Sequence, residues 1–143
     1  MNQGSLSRLQ QGIQRGEFLI TAEVMPPKGS NPQHLLRMAR LLQPWVHGIN
    51  VTDGSRAVLR MSSLAAAALL RQHHLEPIYQ LACRDRNRIA LQADLLGAAA
   101  LGIRNVLALT GDPVQAGDHP TAKPVYDYES VRLLQVIQKL NQG

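Results

Sequence analysis

Gly102-Ile103-Arg104-Asn105-Val106-Leu107-Ala108-Leu109-Thr110-Gly111-Asp112-Pro113 is the stretch on which the reading of this chain turns. Val106 to Leu109 is a short apolar run with turn residues on both sides, the pattern of a strand buried on both faces. The run stops at Thr-Gly-Asp-Pro. Gly111 permits a tight turn or a close backbone approach to a ligand. Pro113 has no N–H to donate and biases Asp112 away from the helical region. The stretch therefore predicts a carboxylate at the C-terminal lip of a buried strand, where parallel α/β folds bind ligands. An ordinary strand followed by a Gly-Asp-Pro turn fits the same residues.

Working outward, the same strand-then-helix grammar recurs. Ser5 to Arg15 carries Leu6, Leu9 and Ile13 at helical spacing, with Ser5 as N-cap and Gly16 as the stop. Phe18 to Met25 reads as a first strand ending at Pro26-Pro27, with Glu23 near its C-terminal end. Ser30 or Asn31 caps a helix that opens on Pro32 and turns Leu35, Leu36, Met38, Ala39 and Leu42 inward. Ile49 to Thr52 is a second strand closed by Asp53-Gly54, followed by a helix from about Ser62 to His73. Pro77 to Ala82 is a third strand, and Asn87 caps a helix over Arg88 to about Leu101. After the fourth strand, a loop from Asp112 to Asp127 leads to a last helix over about Glu129 to Leu140. That helix places Val131, Leu134, Val136 and Ile137 inward and Lys139 in its final turn.

Four strand–helix steps at roughly 30-residue spacing make a parallel sheet covered by helices. An open doubly wound sheet and a (β/α)8 barrel both satisfy that pattern. A complete barrel takes about 250 residues, so four units in 143 residues amount to half of one. The expectation is an α/β chain with a leading helix over 1–16 and, over 17–143, four consecutive βα units forming the N-terminal half of a (β/α)8 TIM barrel.

Composition narrows the function classes. A content of 45% apolar and 17% charged residues is that of a globular chain of one domain. Aromatics at 3% leave little for base stacking, which argues against single-stranded nucleic-acid binding. The +5 net charge comes from scattered Lys and Arg without a basic run, a mild bias toward anionic ligands and no nucleic-acid signature. Cys83 is the one cysteine, so no intrachain disulfide forms and a reducing cytoplasm fits. Met1 to Ser5 lacks an apolar signal core, and the Leu64–Leu70 run is far short of the roughly 18 residues of a membrane span.

Glu23, Thr52-Asp53-Gly54, Gln80 to Asp85, and Thr110-Gly111-Asp112 all fall on strand ends, hence on one face of a parallel sheet. Two carboxylates at one mouth, Glu23 and Asp112, can divide acid and electrostatic roles. A structural role competes for each: an ion pair of Glu23 with Lys28, a salt-bridged loop for Arg84-Asp85-Arg86, a small buried hydrophobe for Cys83. No Gly-x-Gly-x-x-Gly follows the first strand and no Walker loop occurs. His34, His47, His73, His74 and His119 show no metal-ligand spacing, His73-His74 reads as a helix end, and no metal site is expected.

Glu23-Val24-Met25-Pro26-Pro27-Lys28, Thr52-Asp53-Gly54, Ala82-Cys83-Arg84-Asp85-Arg86-Asn87, the run from Ala100 to Pro113, and Pro124-Val125-Tyr126-Asp127 occur in this order. Together they resemble the N-terminal half of the methylenetetrahydrofolate reductase family, from about residue 17 onward. The resemblance implies a flavoprotein barrel that passes hydride from NAD(P)H through FAD, with FMN left open, to 5,10-methylenetetrahydrofolate. The product is 5-methyltetrahydrofolate, in one-carbon metabolism and methionine biosynthesis. It further implies Glu23 as general acid and Asp112 as the aspartate beside flavin and pterin. Thr52, Thr110 and Gly111 match flavin-contacting positions, and Tyr126 and Asp127 match the nucleotide side of the cofactor. Gln80 stands where many members have a flavin-contacting His, and Asp53 where a Tyr is often found. The family's second half has no counterpart here, which implies a homo-oligomer or a partner that completes the barrel. A non-catalytic flavin- or pterin-binding half-barrel is the alternative, and a lyase or transferase barrel for a phosphorylated or pterin substrate is a third reading.

Overall fold

The computed structural model of the protein describes residues 6–143. The expected Ser5 cap lies outside the described residues. The first helix, α1 (Arg8–Gln14), is capped by Ser7, whose hydroxyl accepts from Gln10 N–H. Four βα units follow: β1 (Thr21–Val24) with α2 (Gln33–Leu42), β2 (Gly48–Val51) with α3 (Ser63–Gln72), β3 (Pro77–Ala82) with α4 (Arg88–Ala100), and β4 (Asn105–Leu109) with α5 (Ser130–Gln142). Ser62 and Asn87 cap α3 and α4 through their side-chain oxygens, and Glu129 does the same for α5.

All strand pairs are parallel and the spatial order is β1-β2-β3-β4. Right-handed crossovers in unbroken sequential order put every helix on the same side of the sheet. A doubly wound sheet would reverse order and place helices on both sides, so the arrangement is consistent with part of a TIM barrel. Alternation along the strands gives two unlike faces. Val24, Ile49, Val51, Tyr79 and Leu81 turn toward the helices and meet Leu35, Leu36 and Ala39 of α2, Ala66, Ala67 and Leu70 of α3, Leu91, Leu95 and Ala98 of α4, and Leu133 of α5. The opposite face carries Thr21, Glu23, Asn50, Ile78, Gln80, Asn105 and Leu107, as the register requires.

Ser7 Oγ of the α1 cap donates to Asn105 Oδ1 at 2.8 Å, and Asn105 Nδ2 donates to Glu76 Oε1 at 2.7 Å and to the Pro77 carbonyl at 3.2 Å. These bonds set α1 beneath the N-terminal ends of the strands, away from the mouth where ligands bind.

Four expectations fail for identifiable reasons. β4 is not buried on both faces: it ends the sheet, and Leu107 is 41% exposed. β1 is shorter than Phe18–Met25, and Phe18 is 88% exposed beside an edge that has no neighbouring strand among the described residues. On α5 the inward face is Leu133 with Ile137 and Leu140, while Val131 and Leu134 are exposed. On α2, Met38 is exposed and joins Leu41 and Trp45 on an open apolar flank. Arg40, also on α2, meets His73 Nδ1, just beyond α3, at 3.1 Å through its guanidinium.

Candidate functional site

The C-terminal ends of β1 to β4 converge on a cleft of about 260 Å3 lined by Glu23, Thr52, Asp53, Ser55, Gln80, Arg84, Leu109, Thr110, Gly111 and Asp112. Glu23 reaches it from β1. Its partner is not Lys28 but Gln80, whose Nε2 donates to Glu23 Oε2 at 3.3 Å. Thr52 follows β2 directly, is buried, and its hydroxyl has no partner among the described residues. A buried hydroxyl without a partner is costly, and Thr52 is one of the residues that line the cleft.

Asp112 leaves the lip of β4 held at both ends. Its carboxylate Oδ2 accepts from Arg56 N–H at 2.6 Å, across from the loop after β2. Its carbonyl accepts from the Tyr126 hydroxyl at 3.0 Å and from Arg84 Nη1 at 3.4 Å. Arg56 and Ala57 both have left-handed backbones, φ 58° and 55°, and this strained turn aims the Arg56 N–H at the carboxylate. Gly111 has φ +98°, and a Cβ there would sit 2.9 Å from Arg84 Cβ and 3.3 Å from Ala82 Cβ. The lip needs glycine for both reasons.

A second cleft of about 470 Å3 opens on the other side of Thr110 and Gly111, lined by Tyr126, Asp127, Tyr128, Glu129 and Arg132. Thr110 Oγ1 accepts from Ser130 N–H at 3.1 Å, which fastens β4 to the start of α5. Two guanidiniums lie over the Tyr128 ring, Arg88 at 5.2 Å and Arg132 at 5.8 Å from its centroid. Asp127 binds Arg88 in a fork, Oδ1 to Nη2 at 2.6 Å and Oδ2 to Nε at 2.8 Å, and also accepts Arg88 N–H. Those hydrogen bonds hold the Asp127 carboxyl down at about 2.

Three arginines of the Cys-Arg-Asp-Arg-Asn-Arg segment tie these walls together. Arg84 is buried; it binds Asp85 through Nε and Nη2 and donates to the Gly54 carbonyl at 3.2 Å. Arg86 binds Asp53 at 2.7 Å and Asp94 at 2.9 Å, while Asp53 Oδ2 also accepts Ala82 N–H at 2.8 Å. Arg88 binds Asp127. Cys83 is fully buried between them, and burial pushes its thiol up. No cluster of three or more His, Cys, Asp or Glu able to hold a metal occurs among the described residues.

Comparison with known proteins agrees with the strand-end motifs. Residues 8–143 match the family described as methylenetetrahydrofolate reductase. The chain belongs to the methylenetetrahydrofolate reductase family. Methylenetetrahydrofolate reductase 2 of Schizosaccharomyces pombe is 30% identical over 133 residues, covering 89% of this chain and 20% of that protein. The chain thus spans about one fifth of the length of this curated relative.

Of the residues that the family resemblance implies for the site, Glu23, Thr52, Gln80, Thr110, Gly111 and Asp112 share the first cleft. Tyr126 and Asp127 lie on the second, which shares Thr110 and Gly111 with it. Sequence reasoning missed Arg56 and the scaffold role of Asp53. The Arg56 contact is made by a backbone N–H, which no side-chain pattern announces. Asp53 is taken up by Arg86 and carries the end of β2. The Arg84-Asp85-Arg86 segment is the salt-bridged loop its composition allowed. Among the described residues, no helix is long and apolar enough to cross a membrane.

Proposed function

We propose that this chain, with α1 leading into residues 17–143, is the N-terminal half of a flavin-dependent barrel that reduces 5,10-methylenetetrahydrofolate to 5-methyltetrahydrofolate. The observation that carries the reading is the cleft that gathers Glu23, Thr52, Gln80, Gly111 and Asp112 at one mouth. The residues fit a flavin. Thr52, whose hydroxyl lacks a partner, is among the lining residues, and Gly111 presents bare backbone where a side chain would strike Arg84 and Ala82 beside it.

When bound, FAD supplies the hydride, drawn from NAD(P)H. Thr52 and the Thr110–Gly111 backbone would hold the ring system, and Tyr126 and Asp127 would hold its nucleotide portion. Glu23 sits at the open side of the cleft, where it can deliver a proton to the folate nitrogen whose departure opens the substrate ring. Asp112 offers a fixed negative charge to the cationic carbon–nitrogen centre that results. The Arg56 N–H anchors one of its oxygens, so the charge does not need to reorganise as the cation forms.

The sheet is open at β1 and β4, and apolar side chains flank both ends: Met38 and Leu41 on α2 with Trp45 just beyond it, Val131 and Leu134 on α5. This supports completion by further βα units, from a second copy or from a partner. A cytoplasmic setting suits the single buried thiol.

The test is the visible spectrum of the chain after incubation with FAD and desalting, alone and assembled with the completing half. The expected outcome is a retained, perturbed flavin band in the assembled protein and bleaching on addition of NADH or NADPH. Glu23→Gln should keep the band and abolish folate reduction. An assembled protein that stays colourless would overturn the reading.

A further inference from the structure

Glu23 has a problem that its position creates. It projects from β1, an edge strand, and is exposed. A free glutamate side chain has several rotamers, and fixing it in one costs conformational entropy. A group that must deliver a proton to one atom cannot wander. Glu23 stands opposite Asn50 in the β1–β2 register, yet Asn50 Nδ2 turns instead to Thr21 Oγ1 at 3.3 Å. The Glu23 carboxylate is met from two strands away, by Gln80 Nε2 at 3.3 Å. Gln80 is itself held: only 7% exposed, on the central strand β3, beside buried Thr52 in the same cleft.

The geometry points to Gln80 as the positioning residue for Glu23, rather than solely a contact for the ring system. This rests on Glu23 being the acid of the proposed function. An amide N–H is a donor only. Bound to Oε2, it favours that oxygen as the carbonyl, the better acceptor, and so favours the carboxyl proton on Oε1, the oxygen that Gln80 leaves free. One hydrogen bond thus selects both the rotamer of the acid and the oxygen that carries its proton. A histidine at this position could donate as well but would bring its own titration, and Gln80 does the work without charge.

The test needs neither flavin nor turnover, so it fails or succeeds apart from the proposed reaction. In the labelled 143-residue chain, three-bond couplings about the Glu23 side chain report its rotamer. The Gln80 side-chain amide protons report its bond. The expected result is a single Glu23 rotamer, and Gln80 amide resonances that shift with pH through a carboxyl titration lost in Glu23→Gln. Gln80→Leu should average the Glu23 couplings toward free-rotor values while Asp112 resonances stay in place, and Gln80→His should restore the single rotamer. A Glu23 already averaged in the parent chain, or unchanged couplings in Gln80→Leu, would overturn the assignment. If Gln80→Leu does not fold, the pH titration of the parent's Gln80 amide decides alone, and flat resonances reject it.

Discussion

Replacing Arg86 by Met tests whether the candidate site rests on a buried ion network. The Arg86 side chain is 16% exposed and that of Asp53 is 7% exposed. Arg86 donates to Asp53 at 2.7 and 3.3 Å, to Asp94 at 2.9 Å and to the Ala82 carbonyl at 3.1 Å. Methionine keeps much of the stem volume and removes the charge. Asp53 is then left buried with one backbone donor, Ala82 N–H. Breaking a buried pair from one side costs about 3–5 kcal/mol, out of a total stability of about 5–15 kcal/mol. At roughly 3–5 °C per kcal/mol for a chain of this size, Tm should fall by about 10–20 °C. Urea unfolding followed by circular dichroism measures the loss directly. Adding Asp53→Asn to Arg86→Met should recover part of it, because the uncompensated charge is gone. A loss below about 1 kcal/mol, the range of an exposed pair, would refute the reasoning. So would a double variant no more stable than Arg86→Met alone.

Thr52→Val should separate binding from stability: with no partner to lose, the change should leave Tm unchanged or raise it, while flavin retention by the assembled protein weakens about tenfold, read by absorbance after desalting. Asp127 should titrate near 2 by carboxyl 13C NMR, and Arg88→Gln should return it toward the ordinary value of about 3.9. Since its folded value is depressed, its contribution to stability is complete above about 3.9 and disappears as pH falls through about 2. Acid unfolding of the parent chain should therefore steepen in that window, and that of Arg88→Gln should not.

Much of the framework was legible because local signals agreed. Pro77 to Ala82 was found to the residue, since an apolar run begins at a proline and ends in a charged turn. Asn87 announced α4 as its cap. What failed depends on neighbours that a sequence does not name. Val106 to Leu109 has the composition of a central strand but lies at an edge, so the same residues are half exposed. On α5 two apolar stripes compete, Val131 and Leu134 against Leu133, Ile137 and Leu140, and periodicity alone cannot say which meets the sheet. The lip of β4 was legible from Gly111 and Pro113. The donors that grip it were not, because Tyr126 and Arg84 lie 14 and 28 residues away and bind its carbonyls.

Arg84 has a consequence for how such a mouth could be altered. Its guanidinium spans the turn after β2 at Gly54, its own turn at Asp85, and the turn after β4 at Asp112. Barrel folds owe their versatility to connections that can be exchanged one at a time over a fixed frame. Here three of the four are wired to a single cation, so a graft into one is a graft into all. A designer seeking a new substrate would do better to begin with the connection after β1, which Arg84 does not touch, and to leave the other three as a set.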